Sequence, residues 1–287
     1  MDWAFLAIAI WSGLVTGVGY AIFASGLTLI FGIMFVVNFA HGEIAMLGAL
    51  LLFSLMKYVG IDFFSAAFIS IALVALFGFI VNRIAVQPLI SKSPWTVLLS
   101  TIAVSMIVLH GVVTIRGANP GVVQTGFDKV FRLGEVGIAT ENIIVLVIGL
   151  TIIIAVHLFL RKAKLGKDMK ATIQDPTGAN LVGINVKRVY DSTFIIASGL
   201  AAVSGILMSV LYGMSPFMGQ RVLIFGFVVV IVAGMGNLLG AAIVGIFIGL
   251  ADSIFSQYVS TYYSEAFIYG IMVFVLLIRP KGLFNTS

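Results

Sequence analysis

The sequence contains no cysteine and very little charge. Without cysteine, a disulfide framework, a cysteine-based zinc site and a cysteine nucleophile are all excluded. Charged residues make up 9% of the 287 residues and hydrophobic residues 61%, whereas a soluble domain carries about 25% charge. Because this deficit is too large for a protein with an ordinary buried core, the composition predicts a polytopic membrane protein.

Several common functional signatures are also missing. The sequence has no P-loop, no Gly-x-Ser-x-Gly and no His-Glu-x-x-His, and the N-terminal residues lack the basic stretch of a cleaved signal peptide. We therefore expect a chain that catalyses nothing, with no metal site and no cofactor. The net charge of +5 does not indicate a nucleic-acid partner, because most basic residues flank apolar runs and are better explained by membrane orientation.

Apolar runs of membrane-spanning length follow one another along the whole chain. A bilayer is crossed by about 20 apolar residues, so the sequence predicts an all-α protein with eight to nine spans in a single transmembrane domain, 1–287. The runs cover residues 3–37, 44–56, 63–82, 94–115, 142–160, 192–212, 222–251 and 266–278. Asp252 and Glu265 flank the last outer turn and are expected to be solvated.

The basic residues predict the orientation in the membrane. Segment 161–190 contains seven of them, and the positive-inside rule therefore places it in the cytoplasm, with loop 116–141 on the outside. This threading also puts the C-terminus in the cytoplasm. The N-terminus is expected outside, although this depends on whether 222–260 forms one broken span or two. The lysines and arginines left outside are Lys57, Arg116, Lys129, Arg132 and Arg221.

The most informative polar cluster is Asn38–Glu43, which interrupts an apolar stretch. Glu43 is the only formal charge between Asp2 and Lys57, and a carboxylate at the bilayer centre costs about 2.5–3.5 kcal/mol on insertion scales. We expect Asn38, His41, Gly42 and Glu43 to line or gate a solute path, with a broken helix near Gly42, where the glycine allows a bend. Two structural interpretations stay open: the polar side chains tie helices together, or Glu43 is solvated at the cytoplasmic interface.

A second break is predicted near Gly236 and Asn237, and both residues are candidates for the path. Leu29–Gly32 recurs as Leu223–Gly226, with a glycine and a polar residue ten positions after the first glycine in each copy. Such an echo is typical of transporter repeats with matching broken helices, but four letters can recur by chance in so apolar a chain. The Gly-x-x-x-Gly spacings that follow favour close helix packing over a ligand role.

Segment 161–190 also contains a predicted short helix, 176–182. Asp175 is a suitable N-cap, Pro176 occupies the first helical position and Gly183 ends the helix. An apolar-faced helix in a basic loop suits docking onto a partner, or alternatively contact with anionic lipid headgroups. The candidate coupling residues are Ala171, Asp175, Gly178, Leu181 and Gly183.

Four stretches of the sequence resemble the LivH-type permease subunits of branched-chain amino acid ABC importers. They are residues 26–48, 170–188, 234–241 and 279–284, and the Asn-Phe-Ala-His-Gly-Glu of 38–43 is the most specific piece. Two features depart from the family pattern: Asn237 replaces an expected serine, and the tail after Phe284 is very short.

The resemblance implies an integral subunit of the bacterial inner membrane with an ABC-importer permease fold. It also implies four kinds of neighbour: a second related permease, two cytoplasmic ABC ATPases, an extracytoplasmic solute-binding protein and the lipid bilayer. On this basis the segment around 171–183 is expected to contact an ATPase, and the solute to be a branched-chain amino acid. Related importers carry urea or short amides, and an ion-coupled secondary transporter is the alternative from another class; a membrane enzyme has less support.

Overall fold

Helices form most of the part of the chain that the structure describes. The computed structural model describes residues 3–127, 129–133 and 136–284, so the first two residues, part of the predicted outer loop and the last three residues lie outside it. The helices are α1 (Trp3–Met34), α2 (His41–Ser54), α3 (Phe63–Val81), α4 (Pro94–Arg116), α5 (Thr140–Lys162), α6 (Lys164–Gln174), α7 (Pro176–Leu181), α8 (Val186–Tyr212), α9 (Met218–Ala233), α10 (Leu238–Tyr258) and α11 (Ser264–Ile278). Strands β1 (Val130–Leu133) and β2 (Val136–Ala139) form an antiparallel hairpin, and π-helical turns extend α2 to Val59 and α3 to Val86.

Seven of these helices, rather than the eight or nine predicted, are long and apolar enough to cross a bilayer. The shortfall arises at α9 and α11, which have 16 and 15 residues. At 1.5 Å per residue α9 extends about 24 Å, less than the roughly 30 Å of a hydrocarbon core. The run 222–251 forms parts of two helices, because α9 ends at Ala233 and α10 begins at Leu238.

Helix α1 lies at the centre of the molecule, and small residues allow α10 to pack closely against it. Most of α1 is buried, whereas α4 and α5 keep much of their apolar surface exposed at the periphery. A Cβ on Gly249 would overlap the backbone of Gly17, and one on Gly245 would overlap Ala21. The predicted packing role of the Gly-x-x-x-Gly segment in α10 is confirmed.

Two clusters of contacts mark the two ends of the molecule. At one end the carboxylate of Asp191, near the start of α8, accepts hydrogen bonds from Asn82 (2.9 Å) and Gln87 (2.7 Å) and pairs with Arg83. We name this the basic end. At the opposite end the backbones of Gly121 and Met214 exchange two hydrogen bonds of 2.8 Å. Helices α3, α4 and α8 extend from one of these ends to the other.

Both the end of α1 and the last described residues lie at the basic end. Phe35, Lys170 and Phe284 line one cavity there, while Leu283 N and Phe284 N donate to carbonyl oxygens of α9 at 2.8 and 3.1 Å. Because the C-terminal end of α1 lies at the basic end, Trp3 at its N-terminal end lies toward the opposite end of the molecule.

Candidate functional site

The first helix break lies at residues 35–40, before Gly42. Helix α1 ends at Met34, and Phe35 adopts a positive φ of 53°, which is uncommon for a residue with a side chain. The chain then turns back, so that the ring of His41 packs on Phe23 (centroids 4.8 Å apart) and against Gly26. Gly26 lies eight residues before the end of α1, or about 12 Å along the helix axis.

This reversal buries the polar cluster within the protein. Glu43 is only 2% exposed, and Asn38 and His41 are buried as well. The interpretation of Glu43 as a solvated residue at the cytoplasmic interface is therefore wrong, because α2 begins beside Phe23 and Gly26 of α1 and not at the end of that helix.

Helix α4 holds the break in position through two hydroxyl groups. The backbone N–H of Phe39 donates to Thr101 Oγ1 at 3.2 Å, and Ser105 Oγ donates to Glu43 Oε1 at 2.9 Å. Thr101 and Ser105 are four residues apart and therefore share one face of α4. Neither residue was predicted from the sequence, although two hydroxyls at this spacing in an apolar span were a usable signal.

Gly42 is needed for close approach and does not form the predicted bend. It lies in the first turn of α2, where a Cβ would overlap the carbonyl of Gly219 in α9. A Cβ on Gly219 would in turn overlap Glu43 Oε2. The two glycines thus bring α9 directly against the buried carboxylate.

Several polar atoms of the cluster have no hydrogen-bond partner among the described residues. They are both ring nitrogens of His41, Asn38 Nδ2 and Glu43 Oε2. Leaving a buried polar group unpaired costs about 1–3 kcal/mol. The cluster has a structural role in part, because Ser105 donates to Glu43 and Ala40 N donates to Asn38 Oδ1. These two hydrogen bonds do not account for the burial of the unpaired atoms.

The second break joins α9 to α10 at residues 234–237, as predicted. Gly234 and Gly236 both have positive φ, 97° and 89°. Asn237 caps α10, because its Oδ1 accepts from Gly240 N at 2.8 Å, and its Nδ2 donates to Phe284 O at 2.8 Å. Gly236 lies within its break whereas Gly42 lies in a helix, so the two halves of the sequence echo are not placed alike.

A cavity of about 490 Å³ at the basic end joins the two breaks. Phe35 from the first break lines it together with Gly236 and Asn237 from the second, and Arg161 and Lys170 contribute positive charge. Asn38, His41 and Glu43 do not line this cavity. The predicted path residues are therefore divided between the cavity and the buried cluster beside it.

The predicted coupling segment folds as α6 and α7 at the basic end. Asp175 accepts from Thr177 N at 2.9 Å as the N-cap, Pro176 opens α7, and Gly183 has a φ of 88°. The helix predicted over 176–182 is thus observed as Pro176–Leu181.

Within this segment the candidate coupling residues differ in exposure. Leu181 is 85% exposed and its neighbour Val182 78%, whereas Ala179 is buried and Ala171 is half-buried. A Cβ on Gly178 would lie 2.6 Å from Asp175 Oδ2. An unpartnered apolar surface therefore stands at the end of α7, supported by a well-capped helix.

An ion cluster that was not predicted from the sequence connects α9, α10 and α11, with a buried Asp252 and half-exposed Arg221 and Glu265. Asp252 is 6% exposed, contrary to the expectation that it is solvated, and accepts from Ser264 Oγ at 2.6 Å. Arg221 lies 3.9 Å from Asp252 and 3.5 Å from Glu265, which stays half-exposed. Because its partners are far apart in sequence, no local motif pointed to this cluster.

A comparison with solved structures shows a shared fold. PsaBC from Streptococcus pneumoniae, solved in complex with a Fab, superimposes with a TM-score of 0.51 over 97% of this chain and 92% of that chain. The sequence identity is 15%, so this likeness shows the fold alone.

Sequence comparisons cover almost the whole chain. It is 29% identical to the high-affinity branched-chain amino acid transport system permease protein LivH of Escherichia coli (strain K12), across 95% of this chain and 93% of that protein. BraD of Pseudomonas aeruginosa, named as the same kind of permease protein, is 30% identical with the same coverage. A probable LivH of Methanocaldococcus jannaschii is 31% identical over 91% of this chain and 86% of that one.

The family comparison agrees with these relatives and with the sequence resemblance. Residues 9–276 match the family described as the permease component of branched-chain amino acid transport systems. This match includes both helix breaks and the α6–α7 segment. The chain belongs to this family of membrane permeases.

Proposed function

We propose that this chain forms the membrane path of an ATP-driven importer for branched-chain amino acids. The observation that carries the proposal is the family match over residues 9–276, which includes the polar cluster of the first break and the coupling segment. The relatives LivH and BraD are named for this class of solute. A weaker relative, the fructose import permease protein FrcC of Rhizobium meliloti, is 27% identical over 59% of this chain.

In this proposal the chain works in the bacterial inner membrane with a second related permease, two cytoplasmic ABC ATPases and an extracytoplasmic binding protein. The basic end faces the cytoplasm, which puts α6, α7 and the C-terminus inside and Trp3 outside. ATP binding at the partner subunits moves α6 and α7, and the rigid helices then reopen the path on the other side.

The two helix breaks would provide the polar groups of the path. Asn38, His41, Gly42 and Glu43 form the buried part, and Gly236 and Asn237 border the cytoplasmic cavity. Helix termini at broken helices supply dipoles for the charged ends of a zwitterionic solute. The unpaired polar atoms of the cluster support a role beyond packing.

The proposal is tested by uptake into proteoliposomes that contain the complete transporter. We expect radiolabelled leucine to accumulate only when both ATP and the binding protein are supplied, and unlabelled fructose or urea not to compete. Uptake by the purified chain alone that follows a proton gradient would instead identify a secondary transporter. Competition by urea would reassign the solute.

The docking role of α7 is tested with Leu181→Asp. A carboxylate at this exposed position leaves the fold unchanged but disfavours an apolar contact, so co-purification of the ATPases and ATP-dependent uptake should fall about tenfold, or roughly 1.4 kcal/mol. Tyr262→Asp is the matched control, because Tyr262 is equally exposed, at 85%, in the turn between α10 and α11. Normal co-purification of the ATPases with Leu181→Asp would contradict the docking role of α7. Gly178→Glu is a less clean test, since its side chain would also disturb the Asp175 cap.

A further inference from the structure

A second, larger cavity opens at the opposite end of the molecule. Its volume is about 860 Å³, within the roughly 300–1,000 Å³ of small-molecule sites. It is enclosed by the π-helical end of α2, the start of α3 and the loop that follows α4. None of the residues predicted for the path or for coupling lines it.

Two cations converge on one aromatic ring in this cavity. The guanidinium of Arg116 lies 4.8 Å from the ring centroid of Phe53, and Lys57 Nζ lies 5.3 Å from the same centroid. Within residues 3–127, 129–133 and 136–284, neither cation has a carboxylate oxygen within 4 Å. Positive charge is thus concentrated at one wall of the cavity, and no carboxylate of these residues forms an ion pair with either cation.

Arg116 is held in a fixed position with hydrogen-bond donors to spare. Its Nη1 donates to Asn119 O at 3.0 Å, while its Nε is buried and has no partner among the described residues. The loop beyond it is pinned by the backbone pair of Gly121 and Met214, and a Cβ on Gly121 would overlap the Phe53 ring. A guanidinium fixed in this way loses little freedom when it binds a planar carboxylate.

The same cavity also offers a negative group and apolar walls. Asp62 caps α3 through one oxygen, which accepts from Ser65 N at 3.1 Å. An exposed aspartate is ionised at neutral pH at its ordinary pKa, and this backbone hydrogen bond lowers the pKa of the Asp62 carboxyl further. Met56, Ile61 and Val123 add apolar surface to the lining.

We propose that this outer cavity is a binding site for a zwitterionic aliphatic amino acid. Arg116 and Lys57 bind the α-carboxylate, Asp62 pairs with the α-ammonium, and Met56, Ile61 and Val123 contact the side chain. The inference rests on the proposed function and extends it, because it places a solute site on the permease itself, before the path. The carboxylate could instead come from an acidic side chain of the binding protein, whereas a zwitterion uses both the cationic wall and Asp62 with a single small molecule.

The site is tested in the complete transporter in nanodiscs, without the binding protein. Saturation-transfer NMR at millimolar ligand measures the binding of leucine, of leucinamide, which lacks the carboxylate, and of 4-methylpentanoate, which lacks the ammonium. We expect saturable binding of leucine above both analogues. Arg116→Gln removes charge-assisted hydrogen bonds of about 1.5–3 kcal/mol and should weaken leucine binding about 10- to 100-fold.

Three further variants separate binding from folding. Arg116→Lys keeps a cation and should bind leucine better than Arg116→Gln, and Asp62→Asn keeps the α3 cap but should lose the preference for leucine over 4-methylpentanoate. Lys129→Gln is the matched control, because Lys129 is exposed and does not line the cavity. Its leucine binding should equal that of the unmodified protein.

The proposal is overturned if leucine binding is absent, or if Arg116→Gln binds leucine as tightly as Lys129→Gln does. Loss of binding-protein capture in Arg116→Gln with unchanged leucine binding would overturn it too, and would assign the cations to an acidic side chain of that protein. Failure of the proposed function is a separate result: the complete transporter would then bind leucine in nanodiscs yet accumulate none in proteoliposomes with ATP and binding protein.

Discussion

At Glu43 a carboxylate is enclosed on three sides by different helices. Ser105 of α4 donates to one of its oxygens, Gly219 of α9 lies against the other, and its own helix α2 begins two residues earlier at His41. The position near a helix N-terminus favours negative charge, which partly offsets the cost of removing a carboxylate from water. The site therefore tolerates no bulk from α9 at position 219.

Replacement of Glu43 by Gln separates a path role from a structural one. Glutamine keeps an oxygen that can accept from Ser105, so assembly and thermal stability should stay close to those of the unmodified protein. If the charge serves the path, uptake falls about tenfold or more, which corresponds to roughly 1.4 kcal/mol. The measurement is ATP-driven leucine uptake alongside the amount of assembled complex.

Ser105→Ala is the comparison for this experiment. It removes the hydrogen bond but keeps the carboxylate, and a bond to a charged group contributes about 1.5–3 kcal/mol. We therefore expect Ser105→Ala to lower the melting temperature more than Glu43→Gln does. Full uptake by Glu43→Gln would leave the cluster with a structural role only.

At the scale of elements, the contact between α1 and α10 depends on glycine. Gly13, Gly17 and Gly249 let the two backbones approach so closely that a Cβ on any of them would overlap the facing helix. Because lipid provides no hydrophobic driving force for helix association, such close packing is a main source of stability within the membrane. The long central helix is thus fixed along one side by small residues.

Gly249→Leu should therefore destabilise the protein, whereas Gly270→Leu should not. Overpacking typically costs about 1–3 kcal/mol, and here the obstruction is backbone, which cannot rotate away. Gly270 in α11 has nothing within 4 Å of the added Cβ, so its substitution provides the control. Thermal unfolding in detergent measures both variants. Equal melting temperatures of the two variants would show that α10 can move away from α1 without loss of stability, which would contradict the prediction.

At the scale of the whole molecule, the absence of cysteine allows a direct test of orientation. Single cysteines introduced as Lys57→Cys and Lys170→Cys lie at opposite ends of the fold, on exposed positions. With an impermeant thiol reagent on intact cells, we expect labelling of Lys57→Cys alone. Lys170→Cys should react only after permeabilisation, because the basic end faces the cytoplasm. Labelling of Lys170→Cys from the exterior would invert the topology.

Short-range patterns were enough to predict the helical membrane fold, the two breaks and the α7 helix. A span is recognisable because about 20 apolar residues in a row have few other uses. The start of α7 could be read from Asp175 and Pro176, since N-caps and first-turn prolines act within a few residues. The most specific polar stretch, 38–43, was also visible, because a charge in an apolar run is costly wherever it lies.

Only the tertiary structure decided what these features contact. The sequence could not reveal that residues 35–40 fold back beside α1, that Thr101, Ser105 and Gly219 surround the cluster, or that Asp252 is buried against Arg221. The outer cavity likewise combines Lys57, Asp62 and Arg116 from separate helices and a loop. Periodicity and capping act over a few neighbouring residues, whereas burial and pairing depend on which distant helices pack together, and that is set by the close-packing of all of them at once.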